Sequence, residues 1–219
     1  MAFIQESDKA QIKAQIGELS SEVKIIVFTQ SANCQYCGEV QSILEEFSQV
    51  IDNVKIEKYD IEANPDVAKK YNVKRAPAIV IMGEKDHGIR YYGLPAGYEF
   101  VALMNAVRMV GQSNHELAPE TILQLSKLTK PVHIQVFVTP SCPYCPNAVT
   151  LSHQLAMASD LVTADAVEAT EFPELAMQYN VRGVPRTVVS AGSSENDDHH
   201  FEGAMPEQYF IEELLKAVN

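Results

Sequence analysis

All four cysteines of the chain fall in two Cys-x-x-Cys pairs, Cys34-Gln35-Tyr36-Cys37 and Cys142-Pro143-Tyr144-Cys145. Thiols at this spacing can close and reopen a disulfide, and the same spacing also serves zinc sites. A proline at one fixed distance narrows the choice. Pro77 lies 43 residues beyond Cys34, and Pro185 lies 43 residues beyond Cys142. A single zinc site built from all four cysteines is disfavoured, because 104 residues separate the pairs where a zinc ribbon has ~15–20. The repeated spacing reads as a duplicated redox fold. Exchange needs a thiolate attacker, a second thiol that resolves the mixed disulfide, and a surface that holds the target chain. Each half offers all three, and none of them calls for a metal or a cofactor.

The elements that must position these groups repeat as well. A shift of 108 residues lays Tyr71-Asn72-Val73-Lys74-Arg75-Ala76-Pro77 on Tyr179-Asn180-Val181-Arg182-Gly183-Val184-Pro185. Pro65, Ala68 and Asp60 then fall on Pro173, Ala176 and Glu168. In the first half, Ile12, Ile16 and Leu19 mark an opening helix, and the apolar run Val23 to Thr29 a buried strand ending just before the cysteines. Val40, Ile43, Leu44 and Phe47 recur at helical spacing, Val54 to Tyr59 alternates as a strand, and Asp66 to Tyr71 makes a short helix. Ala78 to Met82 and Gly88 to Tyr92 form a hairpin before a closing helix through Phe100, Leu103, Met104 and Val107. The second half repeats the order, from an opening helix through Ile122, Leu125 and Leu128 and a strand over Val132 to Val138 to a last helix through Phe210, Ile211 and Leu214. The predicted class is α/β: two tandem thioredoxin-like domains, each a central mixed β-sheet flanked by helices. The polar Gln112-Ser113-Asn114-His115 is the expected join, giving domains 1–113 and 114–219.

A Cys-x-x-Cys between a strand and a helix puts its first sulfur at the helix N-terminus, where free N–H groups and the macrodipole favour a thiolate. Its pKa can fall from ~8.5 into the range ~3.5–7.5. Cys34 and Cys142 are therefore the expected nucleophiles, with Cys37 and Cys145 as the resolving thiols. Pro143 suits the first helical position. Pro77 and Pro185 stand where strands begin. If their peptide bonds are cis, Ala76 and Val184 can turn backbone groups towards the cysteines and pair with an extended substrate. Tyr36 and Tyr144, lying between the cysteines, shape the rims. Arg75, Arg182 and Arg186 lie close to the prolines, with substrate contact and edge protection equally open.

These motifs, in two units closed by Ala76-Pro77 and Val184-Pro185, resemble the tandem protein disulfide oxidoreductases of thermophilic archaea and bacteria, also called glutaredoxin-like proteins. The resemblance covers nearly the whole chain, and Cys142-Pro143-Tyr144-Cys145 is the glutaredoxin-type tetrapeptide. It implies reduction, formation or isomerisation of protein disulfides, cis Pro77 and cis Pro185, disulfide-containing protein substrates, and a thioredoxin-reductase-like flavoprotein as reductant. Some positions depart from the pattern. Thioredoxins carry a buried Asp six residues before the first cysteine, and those positions here are Phe28 and Val136. Asp60 and Glu168 are candidate substitutes for that proton acceptor, with a solvated acid at the strand end as the competing reading. Lys58 matches a thioredoxin lysine, whereas the second half has Ala166. Gly183-Val184-Pro185 and Gly203-Ala204-Met205 differ from the glutathione-binding motifs of glutaredoxins, so glutathione is not the expected cosubstrate.

A formal charge of −12 disfavours the basic faces that nucleic-acid binders need. No stretch has the ~18 apolar residues of a membrane span, and the N-terminus has no basic and apolar leader pattern. A cytoplasmic location with no membrane partner is expected. Asp197-Asp198-His199-His200 reads as a hairpin tip rather than a metal site, since adjacent strand positions point apart. Two competing functions remain. One is a dithiol electron relay between a flavoprotein reductase and a peroxiredoxin, and the other a non-catalytic peptide-binding holdase.

Overall fold

The computed structural model describes residues 3–192 and 198–218. The first half runs α1 (Glu6–Ile16), β1 (Val23–Thr29), α2 (Cys37–Val50), β2 (Val54–Asp60), α3 (Pro65–Lys70), β3 (Ala78–Met82), β4 (Ile89–Tyr92) and α4 (Glu99–Gln112). The second runs α5 (Pro119–Leu125), β5 (Val132–Val138), α6 (Cys145–Ala158), β6 (Val162–Glu168), α7 (Pro173–Gln178), β7 (Arg186–Ala191), β8 (His199–Glu202) and α8 (Glu207–Lys216). Both opening helices are shorter than the apolar spacing suggests. Gly17, at φ 69°, ends α1 and leaves Leu19 buried in the following loop. Leu128 is likewise buried beyond the end of α5. The predicted turn residue Asp197 lies outside the described residues.

Each half builds the expected β-α-β unit and hairpin, but the two sheets do not stay separate. Among the described residues the strands form one sheet in the order β2-β1-β3-β4-β6-β5-β7-β8. The halves join by parallel pairing of β4 with β6, from Ile89 opposite Ala164 to Tyr92 opposite Val167. This pairing protects two strand edges that separate domains would have left open. It also fixes the direction of both halves. β1 and β5 run parallel, so both Cys-x-x-Cys segments leave the same end of the sheet. Four strand spacings separate β1 from β5, which is about 19 Å at ~4.8 Å per strand.

Side-chain alternation divides the core in two. Ile25 and Val27 of β1, with Val136 of β5 and Tyr91 of β4, face a layer built from α1, α2, α4, α5, α6 and α8. Ile26, Phe28, Tyr92, Phe137 and Val188 face the smaller layer of α3 and α7. Both short helices start on a proline, Pro65 or Pro173, and each ends on an arginine that rises from the sheet. Arg90 donates from Nε and Nη2 to the Tyr71 carbonyl at 3.1 and 3.0 Å, and Arg186 Nε donates to the Tyr179 carbonyl at 3.1 Å. Cations at helix C-termini satisfy orphan carbonyls and oppose the negative end of the dipole.

Candidate active site

Both cysteine pairs are bridged, with Cα atoms 5.5 Å apart. In the C-terminal half, β5 ends at Val138, Thr139 and Pro140 lead outward, and α6 begins at Cys145. Pro143 therefore precedes the helix instead of opening it. Pro146 takes the first-turn position, where its missing N–H leaves no helical bond unmade. Cys142 stays within reach of the helix end, and its Sγ accepts the Cys145 N–H at 3.2 Å. A reduced sulfur held there has a fixed donor that stabilises its thiolate. Cys145 is fully buried and Cys142 is slightly less covered, whereas the Tyr144 ring between them is 67% exposed. In the N-terminal half Cys34 is half-buried and Cys37 buried, and Cys37 Sγ accepts the Gln30 N–H at 3.4 Å. Tyr36 precedes the first residue of α2.

The Ala76-Pro77 and Val184-Pro185 bonds are both cis. Each proline carbonyl is anchored across its hairpin, Pro77 by the Gly93 N–H at 3.1 Å and Pro185 by the Gly203 N–H at 2.9 Å. At the C-terminal site the Val184 carbonyl oxygen lies 3.7 Å from Cys142 Sγ, so the loop and the first cysteine share one surface. Arg186 is committed to Tyr179 and Glu202, and Arg182 to Asn180. Arg75 lies over the Tyr92 ring at 5.4 Å.

The strand register corrects one expected equivalence. Val136 is matched by Val27, because both lie on the face towards the large helical layer, whereas Phe28 faces α3. The N-terminal loop between strand and cysteine has one extra residue, and Asn33 turns it at φ 58°. Both Val27 and Val136 are fully buried and apolar, so neither half has a base at this position of its first strand. Exposed Lys58 forms an ion pair with Glu45 of α2.

Asp60 accepts hydrogen bonds from Ser31, Glu62 and Ala63. The Ser31 hydroxyl first, and then the Ala63 N–H, hold its carboxyl below the usual range. A group so committed is a weak proton acceptor. Glu168, by contrast, is buried. Its Oε2 accepts from Thr170 and from the Glu171 N–H, and Oε1 has no partner.

Sequence reading missed the groups beside Glu168. Glu99, at the start of α4, is fully buried, and among the described residues neither of its carboxylate oxygens has a hydrogen-bond partner. Burial, followed by the charge of Glu168, pushes its pKa up to about 8. Burial also raises Glu171 to about 7, although the Leu94 N–H on its Oε1 at 2.7 Å pulls the other way. The Tyr91 hydroxyl is buried beside them with no partner, and burial raises its pKa. Gly97 carries the start of α4 to this point. A Cβ there would stand 2.4 Å from the Pro140 carbonyl oxygen, and the next residue, Tyr98, donates its N–H to that oxygen at 3.0 Å. A first-turn glutamate ordinarily reads as a surface charge complementing the helix dipole. Here its neighbour is Glu168 of the second half, which the sequence does not place beside it.

The thioredoxin family model matches residues 4–106 and a thioredoxin-domain model matches residues 132–216. The chain thus belongs to the thioredoxin family as two thioredoxin domains in tandem, each with a Cys-x-x-Cys disulfide-exchange site. One solved structure similar to it is the N-terminal domain of the alkylhydroperoxide reductase AhpF from Enterococcus faecalis, with TM-score 0.86 and 25% identity over 97% of this chain and 100% of that one. Another is a protein disulfide oxidoreductase from Aeropyrum pernix, with TM-score 0.85 and 26% identity over 98% and 93%. A curated relative, the NADH dehydrogenase of Bacillus subtilis, is 21% identical over 84% of this chain and 34% of its own length. The chain spans about a third of the length of the curated relatives it matches.

Proposed function

We propose that the protein is a protein thiol–disulfide oxidoreductase in which Cys142 and Cys145 form the principal exchange site and Cys34 and Cys37 a second dithiol centre. The observation that carries this reading is the position of Cys142 Sγ, within bonding distance of the Cys145 N–H and beside the cis Val184-Pro185 loop. In the reduced protein the Cys142 thiolate attacks one sulfur of a substrate disulfide. That S–S bond breaks, the departing sulfur takes a proton, and a mixed disulfide forms. Backbone groups of Val184 align the substrate strand, and exposed Tyr144 lines its rim. Cys145 then loses its proton and attacks Cys142 Sγ, releasing the second substrate thiol and leaving the bridged form. A dithiol reductant returns two electrons, and a flavoprotein of the thioredoxin-reductase type is the assigned donor. Ala76, Pro77 and Tyr36 have the matching roles at the N-terminal centre.

A second reading rests on the near-complete overlap with the alkylhydroperoxide reductase domain. In this reading the chain passes electrons to one dedicated acceptor. Dithiothreitol-driven reduction of insulin separates the two: catalytic turnover supports a general oxidoreductase. Failure to reduce insulin, with the dithiols still cycling, assigns the protein to a relay.

A further inference from the structure

A polar cleft of about 490 Å³ opens on the sheet face occupied by α3 and α7. Lys74 and Arg75, from the loop after α3, form one wall, and residues of β4, β5 and β6 form the floor. In a chain of net charge −12, two cations here have no acidic partner. Among the described residues neither Lys74 nor Arg75 makes an ion pair. The Tyr92 ring under the Arg75 guanidinium, 5.4 Å away, fixes its orientation. His133 joins them from the floor, with Nε2 held by Asp165 Oδ2 at 2.7 Å.

Gln135 supplies a second, independent observation. It lines the cleft, is only 5% exposed, and its side-chain amide has no hydrogen-bond partner among the described residues. The amide opens onto the cleft, where water or a ligand can complete its hydrogen bonds. Asp198 also lines the cleft, but at the β7–β8 end. Three strand spacings, about 14 Å, separate that end from β4 under the basic wall. Asp198 thus stands three strand spacings from Tyr92 on β4 but beside β5, which carries His133 and Gln135.

We propose that this cleft binds the oxyanion group of a small ligand, a carboxylate or a phosphate, between Lys74, Arg75 and His133, with the Gln135 amide donating to it. Charge-assisted bonds from a guanidinium, an ammonium and an imidazolium suit either group. The site is separate from the dithiol chemistry, although Arg75 runs directly into the Ala76-Pro77 loop.

The pH response follows from the groups that face His133. Asp165 favours its protonated form, and Lys74 and Arg75 oppose it, as does burial. Asp165 prevails over the opposing groups, so the pKa is raised above 6.5. Binding should tighten as pH falls through the raised pKa of His133.

The test uses the full oxidised chain in two-dimensional amide NMR at constant ionic strength, titrated with inorganic phosphate and, separately, with succinate. Saturable shifts at the amides of Lys74, Arg75 and Gln135 are expected for at least one anion, and the one that saturates identifies the group recognised. Arg75→Gln should weaken binding about tenfold, and Gln135→Leu should weaken it with the shift pattern elsewhere unchanged. His133→Gln should abolish the pH dependence. Lys74→Gln, at an exposed position, repeats the test if Gln135→Leu does not fold. Shifts that stay linear with concentration for both anions, or equal affinity in wild type and Arg75→Gln, would overturn the proposal.

Discussion

Replacing Glu99 with glutamine should stabilise the protein in a strongly pH-dependent way. The carboxyl is fully buried, and its pKa rises from 4.5 to about 8, chiefly through burial and then through Glu168. A carboxyl whose folded pKa lies above its unfolded value favours folding only while protonated. That favourable contribution is complete below about pH 4.5 and disappears as pH climbs to about 8. At ~1.36 kcal/mol per pKa unit, the full cost of ionisation is about 5 kcal/mol above pH 9. It is about 3 kcal/mol at pH 7, where the buried group is still mostly protonated. Glutamine keeps the shape and a neutral polar head, so Glu99→Gln should match wild type near pH 4 and exceed it by about 3 kcal/mol at pH 7. Urea unfolding of the oxidised proteins from pH 4 to pH 9 reads this difference directly. A stability difference that does not vary with pH would refute the buried-acid reasoning.

Gly97→Ala should destabilise by about 2–4 kcal/mol in chemical denaturation. Gly97 has φ 58° and its Cβ would meet the Pro140 carbonyl at 2.4 Å, which combines backbone strain with a clash against fixed main chain. Arg90→Met leaves the Tyr71 carbonyl and the Asp86 carboxylate without their arginine. A loss of about 3 kcal/mol is expected, measurable as a lower urea midpoint. Burial tends to raise the pKa of Asp86, but hydrogen bonding to Arg90 outweighs it and the value is lowered. The wild-type advantage should therefore hold above pH 4 and shrink as the solution is acidified.

Chemistry and order of elements were legible in the residues, because Cys-x-x-Cys spacing, the fixed distance to proline and the apolar runs are all local signals. The union of the two sheets was not. An exposed edge such as β4 and its eventual partner β6 have the same apolar pattern whether they pair or not. Glu99 and Tyr91 of the first half meet Glu168 of the second only across the joined halves, so their unpartnered oxygens had no sequence signature. Counting back six residues from Cys34 reached Phe28 because the loop at Asn33 holds one residue more than its counterpart. Pro143 fitted a first helical position by type, yet the helix starts at Cys145 and gives that role to Pro146.

The most direct measurement is dithiothreitol-driven insulin reduction by the wild type beside Cys34→Ser and Cys142→Ser. The expected result is loss of turnover in Cys142→Ser with most activity kept in Cys34→Ser. Loss confined to Cys34→Ser would move the principal site to the N-terminal pair and contradict the assignment drawn from Cys142, Cys145 and Val184.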